Sequence, residues 1–205
     1  MRQRSIPAIF APAAVAAAAP AHAHHAMDYQ LPATLLEGLL SGLGHPIIGI
    51  DHFLFIIGAG IVAAHVARGP LLALLFVAGS ILAAAARAGG LAWDMSELWI
   101  AGSLIGLGAL ALTLPRPAPL LIAVLYAGAG VLHGYALAAA IVGAEPTPLS
   151  AYFVGLALIQ SAIALGAWAA TRWLDVRHPA FPVQRVAGAA LGIAGLYFTG
   201  AIVLG

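Results

Sequence analysis

Apolar residues run along this chain in long blocks, with Pro, Gly and Arg gathered between them. Blocks 46–66, 70–88, 97–114, 118–142, 149–171 and 184–204 each approach the ~20 residues needed to cross roughly 30 Å of hydrocarbon. The pattern predicts six transmembrane helices. Residues 31–44, LPATLLEGLLSGLG, are too short and too interrupted to span, and read as an amphipathic entry helix at the outer surface. Gly38/Gly42, Gly102/Gly106 and Gly188/Gly192 are each spaced four apart. This spacing lets helix backbones approach closely in lipid, so all three pairs are expected to be packing seams.

The first residues, MRQRSIPAIFAPAAVAAAAPAHA, pair two arginines with a short apolar stretch and an A-x-A ending, which reads as a signal peptide cut after Ala23. The expected organisation is a signal peptide over 1–23, an outward N-terminus with an interfacial helix over 24–45, and a transmembrane domain over 46–205. With the mature N-terminus outside, Arg68, Arg116, Arg172, Arg177 and Arg185 fall on inner loops. Arg87, Asp94, Glu97 and Glu145 fall outside. The positive-inside rule then places both mature termini in the periplasm of a bacterial inner membrane.

Composition supports the class: 63% hydrophobic, 7% charged, mean hydropathy +1.04. A soluble domain carries about a quarter charged residues. The chain is therefore an all-α, polytopic membrane helix bundle. Net charge of +1 without a single lysine excludes a nucleic-acid partner. The lack of cysteine excludes disulfides and thiolate metal sites. The expected partners are the lipid bilayer, a metal ion and, in a homo-oligomer, further copies of the chain.

Against this background GHPIIGIDHF, Gly44–Phe53, stands out. His45 precedes Pro46, which suits a first helical position. His45 and His52 are seven apart, so in one continuous helix they would share a face, with Asp51 beside them. Glu97 heads the third span, His133 lies about ten residues inside the fourth, and Gln160 and Ser161 about a dozen inside the fifth. Most of these groups thus occupy the outer half of the membrane. Intramembrane ionisable groups are costly and face a bundle interior. Asp, Glu and His without lysine compose a cation site, and imidazole with carboxylate suits nickel, cobalt or zinc. A structural Asp51–His52 ion pair is the plain alternative. His133 is equally suited to bonding across helices, and Glu97 to a helix N-terminus. His65 reads as a snorkelling interfacial residue or an exit-side group, and His178 as solvated. His24 and His25 would supply imidazoles at a freed N-terminus, where short His tracts bind metal or do nothing. Met27 and Met95 would suit copper(I), but they lie among carboxylates.

HPIIGIDH (His45–His52) resembles the HP-x-x-G-x-D-H signature of the HupE/UreJ family. ELWIAGS (Glu97–Ser103) is similar to its E-L-x-I-A-x-S segment, and LHGYALA (Leu132–Ala138) to its H-G-x-A segment. The resemblance implies six spans behind a signal peptide and nickel or cobalt uptake by a secondary permease or facilitated-diffusion path. It also implies metal handling by His45, Asp51, His52, Glu97 and His133. The chain departs from many members at Tyr135-Ala136-Leu137 and at Gln160, where those members carry further histidines.

The expected function is entry of a divalent metal with no resident prosthetic group. Capture would fall to His24 and His25, dehydration to Asp51, His52 and Glu97, and passage to His133. Gln160, Ser161 and Met27 are possible pocket residues. No G-x-x-x-x-G-K-[ST] loop is present to bind ATP. Two rivals stay open. One is a zinc-dependent intramembrane hydrolase assisted by Ser41, Ser103 or Ser161, although no H-E-x-x-H pair exists. The other is a non-transporting metal sensor or accessory protein.

Overall fold

A computed structural model of the chain describes residues 31–95 and 97–204. The expected signal peptide, His24, His25 and Met27 lie outside them. Within the described residues the structure is helical: α1 (Leu35–Ile48), α2 (Ile50–Ala63), α3 (Gly69–Ala88), α4 (Leu98–Thr113), α5 (Pro119–Leu137), α6 (Pro146–Arg177) and α7 (Val183–Leu204), with a 3₁₀ turn at Ala138–Ala140 after α5. Helices α3, α6 and α7 and the joined α5–3₁₀ segment are long and apolar enough to cross a membrane. The pair α1–α2 qualifies when taken together, and α4 is a shorter apolar helix.

Glycine seams set the pairings, because between helices in lipid the attraction comes from close backbone contact. Gly38 and Gly42 of α1 lie directly on the backbone of Pro148 and Tyr152 in α6. Gly130 and Gly134 of α5 lie on Phe76 and Ser80 of α3. Gly108 of α4 meets the backbone of Gly188 and Gly192 in α7. Two of the three expected seams are therefore real. The third is corrected: a Cβ at Gly102 or Gly106 would meet nothing within 4 Å. That face of α4 is open, and its i, i+4 spacing carries no helix contact.

Helix α2 sits at the centre, with Phe55, Ile56, Ala59, Val62 and Ala63 all buried. The Tyr126 hydroxyl of α5 donates to the Ala59 carbonyl at 2.5 Å. The entry helix also differs from expectation. It is a packed element of the bundle, lying parallel to the first turns of α6, and it includes His45 and Pro46. Its start is held by a capping box: the Glu37 amide donates to Thr34 Oγ1 at 3.2 Å, and Glu37 Oε2 accepts from the Thr34 amide at 3.2 Å.

The first span does not begin at Pro46. The chain breaks at Gly49, where α1 and α2 meet at 79°. Gly49 ends α1 by donating its amide to the His45 carbonyl, and its own carbonyl accepts from Phe53 to start α2. Pro46, inside the last turn of α1, lacks the amide that would bond back to the Gly42 carbonyl and so weakens that turn. A Cβ on residue 49 would lie 2.9 Å from His52 Cδ2, so glycine here leaves room for the His52 ring.

Candidate functional site

The break opens onto a cavity of about 340 Å³ at one end of the bundle. Its polar lining comes from His45 on α1, Asp51 and His52 on α2, Arg87 on α3, Met95 in the following connection and Glu97 before α4. Ala136, Ala139 and the last turns of α7 close the apolar side. Four of the residues expected from the sequence thus surround one cavity, reached by a route the sequence spacing did not predict. His45 and His52 lie on two different helices flanking the break, so the two-turn argument for a shared face does not apply. Among the described residues, no three His, Asp or Glu side chains converge closely enough to hold a metal ion as they stand.

Hydrogen bonds behind the cavity set the state of both histidines. Ser103 Oγ donates to the Ile100 carbonyl at 2.7 Å, so it is free to accept from His133 Nε2 at 2.9 Å. A neutral His133 then has its lone pair on Nδ1, which faces His52 Nδ1 at 2.8 Å. That nitrogen of His52 must carry the proton, leaving the lone pair on Nε2. His45 follows the same logic. The Tyr152 hydroxyl donates to the Leu137 carbonyl at 2.6 Å and accepts from His45 Nδ1 at 3.0 Å. In each case a chain ending on a backbone carbonyl selects the tautomer with its proton on Nδ1 and its lone pair on Nε2.

Asp51 occupies the first turn of α2, and its Oδ1 accepts the His52 amide at 2.8 Å. The carboxylate thereby meets the positive end of α2 while lining the cavity. His133 is placed behind His52, fully buried and off the cavity wall, with its ring 4.4 Å from that of Phe55 and 5.8 Å from that of Phe76. Gln160 is also fully buried and off the wall. Its Nε2 donates to Ser80 Oγ at 3.1 Å, and among the described residues its Oε1 has no hydrogen-bond partner. Ser161 is half-buried on α6 and does not line the cavity. His65 pairs with Asp175 at the opposite end of the bundle.

Sequence reasoning missed Arg87 and Tyr152 as members of the site. Arg87 Nη1 donates to the Tyr135 carbonyl at 2.7 Å, and its guanidinium lies 4.4 Å over the Tyr135 ring. The Tyr135 hydroxyl in turn takes the Trp93 amide at 2.6 Å and donates to the Trp93 carbonyl at 2.8 Å. Tyr135 thus anchors the connection that brings Met95 and Glu97 to the cavity. The signal for Arg87 was visible as the lone arginine among acidic residues on that side; Tyr152 had none, since its partner is 107 positions away.

Apolar helices of spanning length, glycine seams and a His- and carboxylate-lined cavity at one end define a multi-pass helical membrane protein. The chain belongs to the HupE/UreJ family: the model for the HupE / UreJ protein matches residues 12–198. These are accessory or permease-like membrane proteins associated with nickel and cobalt. Neither a curated protein nor a solved structure matches the chain.

Proposed function

We propose that the chain is a secondary permease or facilitated-diffusion path for a divalent transition metal, nickel or cobalt, entering from the periplasm. The observation that carries this reading is the cavity at the α1–α2 break. It gathers His45, Asp51, His52 and Glu97, and hydrogen bonds hold both histidines with Nε2 as the basic nitrogen. The ion keeps part of its water shell there, because the protein groups ring the cavity without converging. His24 and His25 precede this site and serve capture. His133 acts by positioning His52. Copper fits less well, since Met95 is the one thioether among several carboxylates on the lining.

Transport is preferred over serine-assisted, zinc-dependent hydrolysis because Ser103 is occupied as donor to Ile100 and acceptor from His133, and none of Ser41, Ser103 and Ser161 lines the cavity. The test is uptake into proteoliposomes of nickel, cobalt, copper and zinc, each offered separately. Saturable entry of nickel or cobalt, lost in Asp51→Ala/His52→Ala while helicity is unchanged, is the expected result. Stoichiometric binding without entry would refute transport and favour the accessory reading.

A further inference from the structure

The opposite end of the bundle holds a second cavity, of about 580 Å³, between the residues following α2, the α4–α5 connection and the last turns of α6. Its charged lining is Arg116, Arg172, His65 and Asp175. His65 Nδ1 faces the Ile61 carbonyl at 3.0 Å, and Nε2 faces Asp175 Oδ2 at 3.2 Å. Both ring nitrogens of His65 are thus engaged, one of them by the Asp175 carboxylate. Asp175 is the lone carboxylate at this end among the described residues, and its partner is His65. Arg116 and Arg172 outnumber it, so the cleft is net positive. Among the described residues, Arg172 makes only a long 3.5 Å contact, to the Ala64 carbonyl. Arg68, Arg177 and Arg185 flank the same end, so the surrounding field is positive as well.

The depth of the cleft identifies its ligand. Helix α6 has 32 residues and rises about 48 Å, well beyond the roughly 30 Å of hydrocarbon. Arg172 and Asp175 stand in that excess, about 39 Å or more from the helix start. Trp173 and Phe181, 55% and 51% exposed, ring the same level, as aromatic residues do at headgroup depth. We propose that this cleft binds the phosphate of an anionic phospholipid, with Arg116 and Arg172 as its donors. Guanidinium pairs of this kind match phosphate oxygens bidentately, and basic pockets between transmembrane helices take such headgroups. The site is independent of the metal reading.

The test is thermal unfolding of the full chain in nanodiscs of phosphatidylcholine, alone or with phosphatidylglycerol. Phosphatidylglycerol is expected to stabilise the wild type and the charge-matched Arg177→Gln/Arg185→Gln control. Arg116→Gln/Arg172→Gln should lose that response, with phosphatidylglycerol affinity lowered on the order of tenfold or more. Equal loss in both double variants would overturn the site in favour of diffuse surface charge. Equal stabilisation by inorganic phosphate in phosphatidylcholine discs would overturn the lipid in favour of a free anion. Native mass spectrometry of the unaltered chain gives a test free of variants: phosphatidylglycerol surviving detergent supports the site, and none surviving overturns it.

Discussion

Replacing His133 by Phe separates metal handling from packing. The ring at 133 lies between Phe55 and Phe76, so Phe preserves most of the apolar contact there. What it removes is the Nδ1 acceptor for His52 and the Nε2 donor to Ser103. Each lost hydrogen bond costs about 0.6 kcal/mol on average between transmembrane helices, so the stability loss should be on the order of 1 kcal/mol. His133→Ala would add a cavity and cost roughly 2–5 kcal/mol more. The effect on metal is larger than on stability. Loss of an orienting partner behind a ligating histidine typically costs 10–100-fold in affinity, about 1.4–2.7 kcal/mol. Isothermal titration of nickel or cobalt into the purified protein reads this directly. In a His52→Ala background the same substitution should change affinity by about twofold or less, because the residue acts only through His52. A folded His133→Phe protein that binds metal as tightly as wild type would refute the argument. An undiminished effect without His52 would instead make His133 a ligand in its own right.

Four further outcomes follow from the same geometry. Gly134→Ala drives a Cβ into the Ser80 backbone and should lower the unfolding temperature in detergent, at a cost of about 1–3 kcal/mol. Gly102→Ala meets nothing and should be neutral or stabilise by up to about 1 kcal/mol; equal damage from both would mean the seams are misassigned. Metal uptake should fall as the pH is lowered, because protonating an imidazole removes the lone pair that holds the ion. Uptake that does not fall at any acid pH at which the protein stays folded would exclude imidazole ligation. Tyr152→Phe removes the acceptor that orients His45 and should weaken metal binding about tenfold or more, with unchanged affinity counting against His45 as a ligand.

The all-helical membrane class and the approximate positions of the helices were legible because ~20-residue apolar blocks have few alternatives. The Gly38/Gly42 and Gly188/Gly192 seams were legible for the reason that failed at Gly102/Gly106. Spacing alone says that a small-residue face exists, whereas lipid and a neighbouring helix are equally apolar, so nothing in the pattern says which of them the face meets. Arg87 and Tyr152 were not read as part of the site, whereas His45, Asp51, His52 and Glu97 of the cavity lining were legible residue by residue, since His and carboxylate within apolar blocks are conspicuous. Their roles were less so. His133 belongs behind His52, a relation across 81 positions that no local spacing encodes. Gln160 bonds Ser80 across 80 positions and stays off the cavity wall.

The break at Gly49 explains why the site lies where it does. An unbroken helix would separate His45 and His52 by about 10.5 Å along its axis, with every intervening backbone group satisfied and no opening between them. Breaking the helix within a membrane exposes amides and carbonyls that lipid cannot satisfy, so such breaks occur only where they line a cavity or are covered by protein. Here both requirements are met by the residues of the motif. Gly49 closes α1 and opens α2 with its own amide and carbonyl. Asp51 accepts an amide in the first turn of α2 and opposes the positive helix end that would repel a cation. The C-terminal end of α1, carrying His45, presents the negative end of its dipole to the same cavity. Pro46 and Gly49, read as punctuation before a first span, are therefore part of the site. They convert one apolar segment into two helix ends of opposite polarity facing one cavity, with a histidine held on each.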